Sequence, residues 1–181
     1  EGRAGYIFQT NPFLEYSNHQ YKAMKNAYAG HLKYSFQLRP HTVADQAYIG
    51  AYQGIGVGYF NFGNPEELGN PLAVYLFQGG RIAQFSPRIS LNYEWNFGAS
   101  FGWKPYDEYD NPENQIIGSK VNAYLNVNLY LKWALSPKFD LMIGATGSHF
   151  SNGNTQYPNS GLNTVDCKVG LVYKDRKSTR L

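Results

Sequence analysis

Val121-Asn-Ala-Tyr-Leu-Asn-Val-Asn-Leu-Tyr-Leu-Lys-Trp-Ala-Leu135 alternates almost without interruption. Val121, Ala123, Leu125, Val127, Leu129, Leu131, Trp133 and Leu135 share one face of an extended chain. Asn122, Tyr124, Asn126, Asn128, Tyr130 and Lys132 share the other, with Ala134 the one lapse. Ile89-Ser-Leu-Asn-Tyr-Glu-Trp-Asn-Phe-Gly-Ala-Ser-Phe-Gly-Trp-Lys104 repeats the pattern, apolar or aromatic at every odd position. Both ribbons are longer than the roughly 5–6 residues usual for a soluble strand. A soluble sandwich would turn the apolar face inward, whereas an outer-membrane barrel turns it to lipid and lines its lumen with the polar face. About 9–11 tilted residues span a bilayer, and these ribbons exceed that. The reading is therefore an all-β, antiparallel transmembrane β-barrel. Trp95, Trp103, Trp133, Tyr93 and Tyr59 are expected to supply its interfacial aromatic girdles.

Working outward, the same alternation, less clean, marks strands at residues 4–9, 30–39, 48–62, 72–86, 88–104, 120–135, 138–151 and 165–174. That is about eight strands, an even number able to close a small barrel filled by side chains. Short turns at Ser86-Pro87 and Ser136-Pro137 alternate with longer connections over 105–119 and 152–164, as expected for periplasmic and outer ends. The chain has 181 residues, one domain's worth. Its net charge of +3 is too small to argue for nucleic acid, and its single cysteine, Cys167, forbids an internal disulfide. No initiator Met or signal peptide is seen, so the chain is expected to begin after any targeting segment. Residues 175–181, Asp-Arg-Lys-Ser-Thr-Arg-Leu, lack strand patterning and match a translated sequencing-adapter oligonucleotide. They are expected to be a non-native tail on a barrel of residues 1–174, with a natural polar terminus as the alternative.

One short motif breaks the chemical logic of the wall. In Ser148-His-Phe-Ser-Asn-Gly153, His149 and Ser151 continue the face of Gly147, Ala145, Ile143 and Leu141. A His and a Ser on lipid-facing parity read either as rim polars at the water interface or as a nucleophile with its base. The second reading needs a third group to orient the imidazole. Asn163 has the parity for that role, on the face of Val165, Cys167, Val169, Leu171 and Tyr173. Asp166 has the opposite parity and is expected to face the lumen.

His149-Phe150-Ser151-Asn152 followed by Pro158-Asn159-Ser160-Gly161 resembles the PagL-type lipid A deacylases, outer-membrane barrels that hydrolyse the ester-linked acyl chain at the 3-position of lipid A. The local resemblance spans about fifteen residues, and the barrel pattern extends it over most of the chain. Within that group it is similar to acyloxyacyl-hydrolase-like members with His-Phe-Ser-Asn-Gly at this position. The resemblance implies Ser151 as nucleophile and His149 as general base. It implies an oxyanion hole from Asn152 with backbone amides at Gly153 or Asn154, and loop support from Asn159. It also implies a bacterial outer-membrane location, lipid A or lipopolysaccharide as partner, no metal and no cofactor. The departure is Asn163, where the family pattern has an acidic residue. An Asn oxygen can accept the His N–H, as in Cys-His-Asn sites, but brings no negative charge to the imidazolium.

Other features carry less. An acidic loop, Tyr106-Asp-Glu-Tyr-Asp-Asn111, reads as solvated before it reads as a calcium site. Arg81, Glu94 and Lys132 fall on lumen parity and are expected to form a buried charge network. Gly54, Gly56 and Gly58 share a parity, which reads as a tight lumen or bend; no helix follows that would make them a phosphate loop. His19, His31 and His41 show no metal-ligand spacing. A catalytically inactive lipopolysaccharide-binding barrel is the rival reading, and a small pore is disfavoured because eight strands leave little open lumen.

Overall fold

The computed structural model describes residues 1–37 and 50–175. The 175–181 tail assigned from sequence lies outside the described residues beyond Asp175, as do His41 and the turn-proximal ends of two expected strands. Eight antiparallel strands close in chain order: β1 Gly2–Ile7, β2 Asn26–Gln37, β3 Tyr52–Asn61, β4 Gly69–Ser86, β5 Ile89–Trp103, β6 Val121–Ala134, β7 Phe139–Ser151 and β8 Leu162–Tyr173. Pairing of β1 with β8 shuts the ring and leaves no sheet edge. A four-residue helix, α1 (Pro12–Glu15), sits in the first outer connection, started by Asn11, whose side chain accepts the Phe13 N–H.

The alternation seen in β5 and β6 is the alternation of the wall. Leu125, Val127, Leu129 and Leu131 stand exposed on the outside, while Asn122, Tyr124, Asn126 and Asn128 are buried inside. Among the described residues no helix is long and apolar enough to cross a membrane; the crossing is by strands. Both short turns owe their shape to one hydroxyl each. Ser86 Oγ accepts the Arg88 and Ile89 N–H groups, and Ser136 Oγ accepts those of Lys138 and Phe139.

The lumen has two storeys. Toward the outer mouth it is aromatic: Phe60, Phe62, Trp103, Tyr124 and Phe150 pack ring on ring, with centroids 5.0–6.1 Å apart. Ile116, Ile117, Leu68 and Leu14 from the outer connections close over them, fully buried. Below lies a charge network. Glu1 meets Arg3 (2.7 Å), Lys33 (3.2 Å) and Lys168 (3.2 Å), and Lys33 also meets Glu94 (2.5 Å). Glycines on β3 make room for rings in the lumen. A Cβ at Gly56 would lie 2.5 Å from the Tyr75 ring, and one at Gly58 would lie 2.6 Å from the His31 ring. This is the tight lumen that the glycine parity suggests.

Two expectations are corrected. Trp103 is not a girdle residue; it is 4% exposed and stacked on Phe62 inside the mouth. Gly102, at φ +87°, lies where the β4–β5 register slips between Gly69 and Leu72, and that bulge turns the next side chain inward. Trp95, Trp133, Tyr93 and Tyr59 do stand on the outer wall. The charge network contains Glu94 but neither of its expected partners. Arg81 is exposed beside the irregularity between Arg81 and Ala83, where it donates to Gln84 (2.9 Å). Lys132 lies below the network, opposite Met142 and toward the Asp140–Lys174 pair, and Lys33 and Lys168 take the places next to the carboxylates.

Candidate active site

Cross-strand register builds the site. His149 of β7 lies directly opposite Asn163 of β8, and Ser151 lies two residues on along the same outer face. Asn163 Oδ1 sits 2.7 Å from His149 Nδ1, and Ser151 Oγ sits 2.9 Å from His149 Nε2. A carbonyl oxygen only accepts, so Nδ1 carries the proton and donates to Asn163. Nε2 is then left with its lone pair toward the Ser151 hydroxyl, which donates to it. The tautomer follows from the partner. All three side chains are half-buried at the outer rim of a wall otherwise lined by Leu125, Val127 and Val165.

The loop after β7 closes on itself through asparagines. Asn159 Oδ1 accepts the Asn152 N–H (3.0 Å), and Asn159 Nδ2 donates to Asn154 Oδ1 (3.0 Å). Asn152 Nδ2 donates to the Gln156 carbonyl (2.7 Å), while Asn152 Oδ1 is buried without a partner. Gly153 and Asn154 both adopt positive φ, +66° and +61°, the left-handed region that suits these two residue types. The backbone N–H of Asn152 and one of its amide hydrogens are thus engaged inside the loop. The backbone N–H groups of Gly153 and Asn154, the next two in the chain, take no part in these bonds.

Sequence reasoning did not find what braces this loop. Gly161, at φ +71°, packs so closely that a Cβ would lie 3.1 Å from His149 Cε1. Its N–H bonds the Ile116 carbonyl (3.1 Å), and the Ser160 N–H bonds that of Gln115 (3.2 Å). The β5–β6 connection therefore runs alongside the loop, so near that a Cβ at Gly118 would meet the Pro158 carbonyl at 2.5 Å. Asn114, fully buried, anchors that connection. Its Oδ1 caps the Ile116 and Ile117 N–H groups, and its Nδ2 reaches the carbonyls of Glu67 (3.0 Å) and Lys104 (2.8 Å). The one sequence signal was Ile116-Ile117, an apolar pair inside an otherwise polar loop.

The remaining candidates behave as ordinary structure. Asp166 faces the lumen, where it accepts from Thr164 (2.8 Å). Asp107 uses one carboxylate oxygen to hold the N–H groups of Tyr109 and Asp110, bonds that keep its carboxyl below the usual range. No metal-ligating cluster occurs among the described residues.

The family model for lipid A 3-O-deacylase (PagL) matches residues 75–172, more than half of the chain and the whole of the site. The chain belongs to the PagL family. A crystal structure of the outer membrane enzyme PagL superposes with a TM-score of 0.60, covering 96% of this chain and 97% of that one. Identity between the two is 13%, so that likeness is one of fold. No curated protein matches the sequence. As a PagL-family barrel of eight strands, the protein resides in the outer membrane.

Proposed function

We propose that this protein is an outer-membrane serine esterase that removes the ester-linked 3-hydroxyacyl chain from lipid A, with Ser151 as nucleophile and His149 as general base. Family membership supports the reaction class. The observation that carries the residue assignment is the relay Ser151–His149–Asn163, two bonds of 2.9 and 2.7 Å on the lipid-facing side. Such a relay has no reason to be there as packing.

In this reading Ser151 Oγ attacks the acyl carbonyl carbon while His149 Nε2 takes the hydroxyl proton. The carbonyl oxygen gains the negative charge, and the N–H groups of Gly153 and Asn154 and the free amide hydrogen of Asn152 are its donors. Collapse breaks the ester C–O bond, and His149 returns the proton to the departing sugar oxygen. Water then attacks the acyl-enzyme by the same route and releases the fatty acid. Asn163 holds Nδ1–H and so fixes the tautomer, the task whose loss is so damaging in Ser-His-Asp enzymes. It adds no charge to balance the imidazolium, so a slower chemical step than with a carboxylate is expected. A site outside the barrel suits a substrate whose chains already lie against that wall.

Mass spectrometry of lipid A incubated with the refolded barrel tests this. Loss of one 3-hydroxyacyl chain with wild type, and none with Ser151→Ala, supports it. Unchanged lipid A from a folded wild-type barrel would instead favour a lipopolysaccharide-binding barrel, the reading to which the uncharged Asn163 points.

A further inference from the structure

The charge network of the lumen rests on a floor, and the charged group below that floor is built differently. Tyr130, 3% exposed, bonds Tyr52 through their hydroxyls (2.5 Å), and the Lys168 ammonium of the network lies 4.4 Å from its ring centroid. Two residues on along the lumen face of β6 stands Lys132, opposite Ser90 of β5 and Met142 of β7. From there to the short turns the lumen opens to water. Lys132 and Lys174 are half-buried, and Arg81 is exposed although it continues the face of Ala73, Tyr75 and Phe77, all buried.

Cations outnumber their partners at this mouth. Asp140, diagonal to Lys132 across β6 and β7, is taken by Lys174 at 2.6 Å, and Lys174 also reaches the Ser136 carbonyl (3.4 Å). Arg81 gives one guanidinium N–H to Gln84 (2.9 Å) and keeps four. Lys132 makes no hydrogen bond and no ion pair among the described residues. The charges that act on it are those of Asp140, Lys174 and Arg81, two of them repulsive. Ser90 accepts from Asn92 (2.9 Å) and donates to nothing among the described residues, so its hydrogen is left over opposite Lys132. Arg88 and Lys138 stand exposed in the two turns at this end, and Asp175 is exposed next to Lys174. A half-buried ammonium flanked by two other cations costs stability unless an anion joins it. Above the floor, by contrast, every charged group meets an opposite one.

We propose that the short-turn mouth of the barrel is an anion site in which Lys132, Arg81 and Ser90 take a phosphate group. Arg81 is opposite Asn92 and Lys132 opposite Ser90, so β5 alone separates them. Strand spacing and rise put their backbones about 12 Å apart, a gap that two long side chains facing one lumen close around a small anion. The three present a planar fork, a point charge and a hydroxyl, all donors, which complements an oxyanion with several acceptor oxygens. The site shares no residue with the Ser151 relay and stands independently of the esterase reading. Its phosphate has two sources, the head group of a phospholipid in the leaflet at the short turns or a free phosphate compound on that side of the membrane. Both meet the same donors.

The test is calorimetric titration of inorganic phosphate into the full chain folded in a neutral detergent, with ionic strength held constant by sodium chloride. Wild type should bind saturably. Lys132→Met and Arg81→Gln should each weaken binding by about tenfold or more, the worth of one charge-assisted hydrogen bond. Lys132→Arg keeps charge and donors and should stay within a few-fold of wild type. Lys120→Gln, an exposed cation at the opposite end of the barrel, should change nothing. Arg81 is exposed, so its variant keeps the test open if Lys132→Met does not fold. Repeating the titration in bilayers of phosphatidylcholine, with and without phosphatidylglycerol, separates the sources. Binding that survives in both assigns the site to free phosphate, and binding lost only with phosphatidylglycerol assigns it to a lipid head group. No saturable binding in detergent, or equal binding by wild type, Lys132→Met and Arg81→Gln, overturns the proposal.

Discussion

Two polar clusters occupy the two faces of the barrel wall, with only β8 contributing to both, and they differ in how completely their bonds are closed. Inside, Glu1, Arg3, Lys33, Glu94 and Lys168 satisfy one another, and the remainder goes to neutral neighbours. Arg3 also donates to Tyr124 (3.2 Å) and Thr146 (3.3 Å), Lys168 donates to Asn128 (3.1 Å), and Tyr52 donates to Glu94 (3.0 Å). Outside, Ser151, His149 and Asn163 form a short line with an open end. The Ser151 hydroxyl donates to His149, and its oxygen keeps accepting capacity that no bond of the line uses. The inner cluster is the more heavily charged, yet it has nothing left to offer a substrate. Chemistry resides where polar groups are few, aligned and incompletely used, which is why charge alone is a poor guide to a site.

Breaking the outer line should have the largest effect. Ser151→Ala and His149→Ala are each expected to lower deacylation by roughly 10⁴-fold or more. Both should leave a folded barrel, checked by heat-dependent gel mobility, because neither side chain fills the lumen. Activity retained in either would end the proposed roles. Next comes the brace. Gly161→Ala puts a methyl against His149 Cε1 in a left-handed backbone, and displacements of about 1 Å at a catalytic group cost on the order of 100-fold. The fall should appear in kcat, with KM nearly constant, in steady-state assays on a lipid A ester. A variant with wild-type kcat would show that the glycine serves only the turn.

Asn163→Glu sharpens the comparison by giving the outer line the charge that the inner network has. Turnover should be preserved or raised a few-fold, since a carboxylate also accepts from Nδ1–H and balances the imidazolium. A large loss would mean that the Asn163 bond geometry is one a carboxylate cannot copy. The smallest effect is expected from the inner cluster. Lys168→Met removes one of three cations facing two carboxylates, together with the ammonium that lies 4.4 Å from the Tyr130 ring centroid. Glu1 retains Arg3 and Lys33, so stability should move by about 1 kcal/mol or less, with activity unchanged. Denaturant unfolding and the same ester assay check both halves; a loss of activity would show that the two clusters communicate.

Legibility in the sequence followed the range of the interaction. His149, Ser151 and Asn163 could be placed on one face because a strand's period is two and the face they interrupt is otherwise apolar. The serines of both short turns announced themselves because a hydroxyl bonds the backbone two and three residues on. Trp103 was misplaced because a left-handed glycine one residue earlier overrides the alternation. Asn114 went unseen because it works by bonding carbonyls at Glu67 and Lys104, far apart in the chain. The lumen partners of Glu94 were missed for the same reason: which lysine meets which carboxylate depends on closure of the ring, not on parity.

By itself the amino-acid sequence determined the wall, its lipid-facing side and the three side chains that interrupt it, since all of these follow from a two-residue period and the cost of polar groups in hydrocarbon. Only the tertiary structure decided the tautomer of His149 and the brace on the loop. Those depend on cross-strand register and on loops meeting over the barrel's mouth, where residues distant in sequence come within a hydrogen bond of one another.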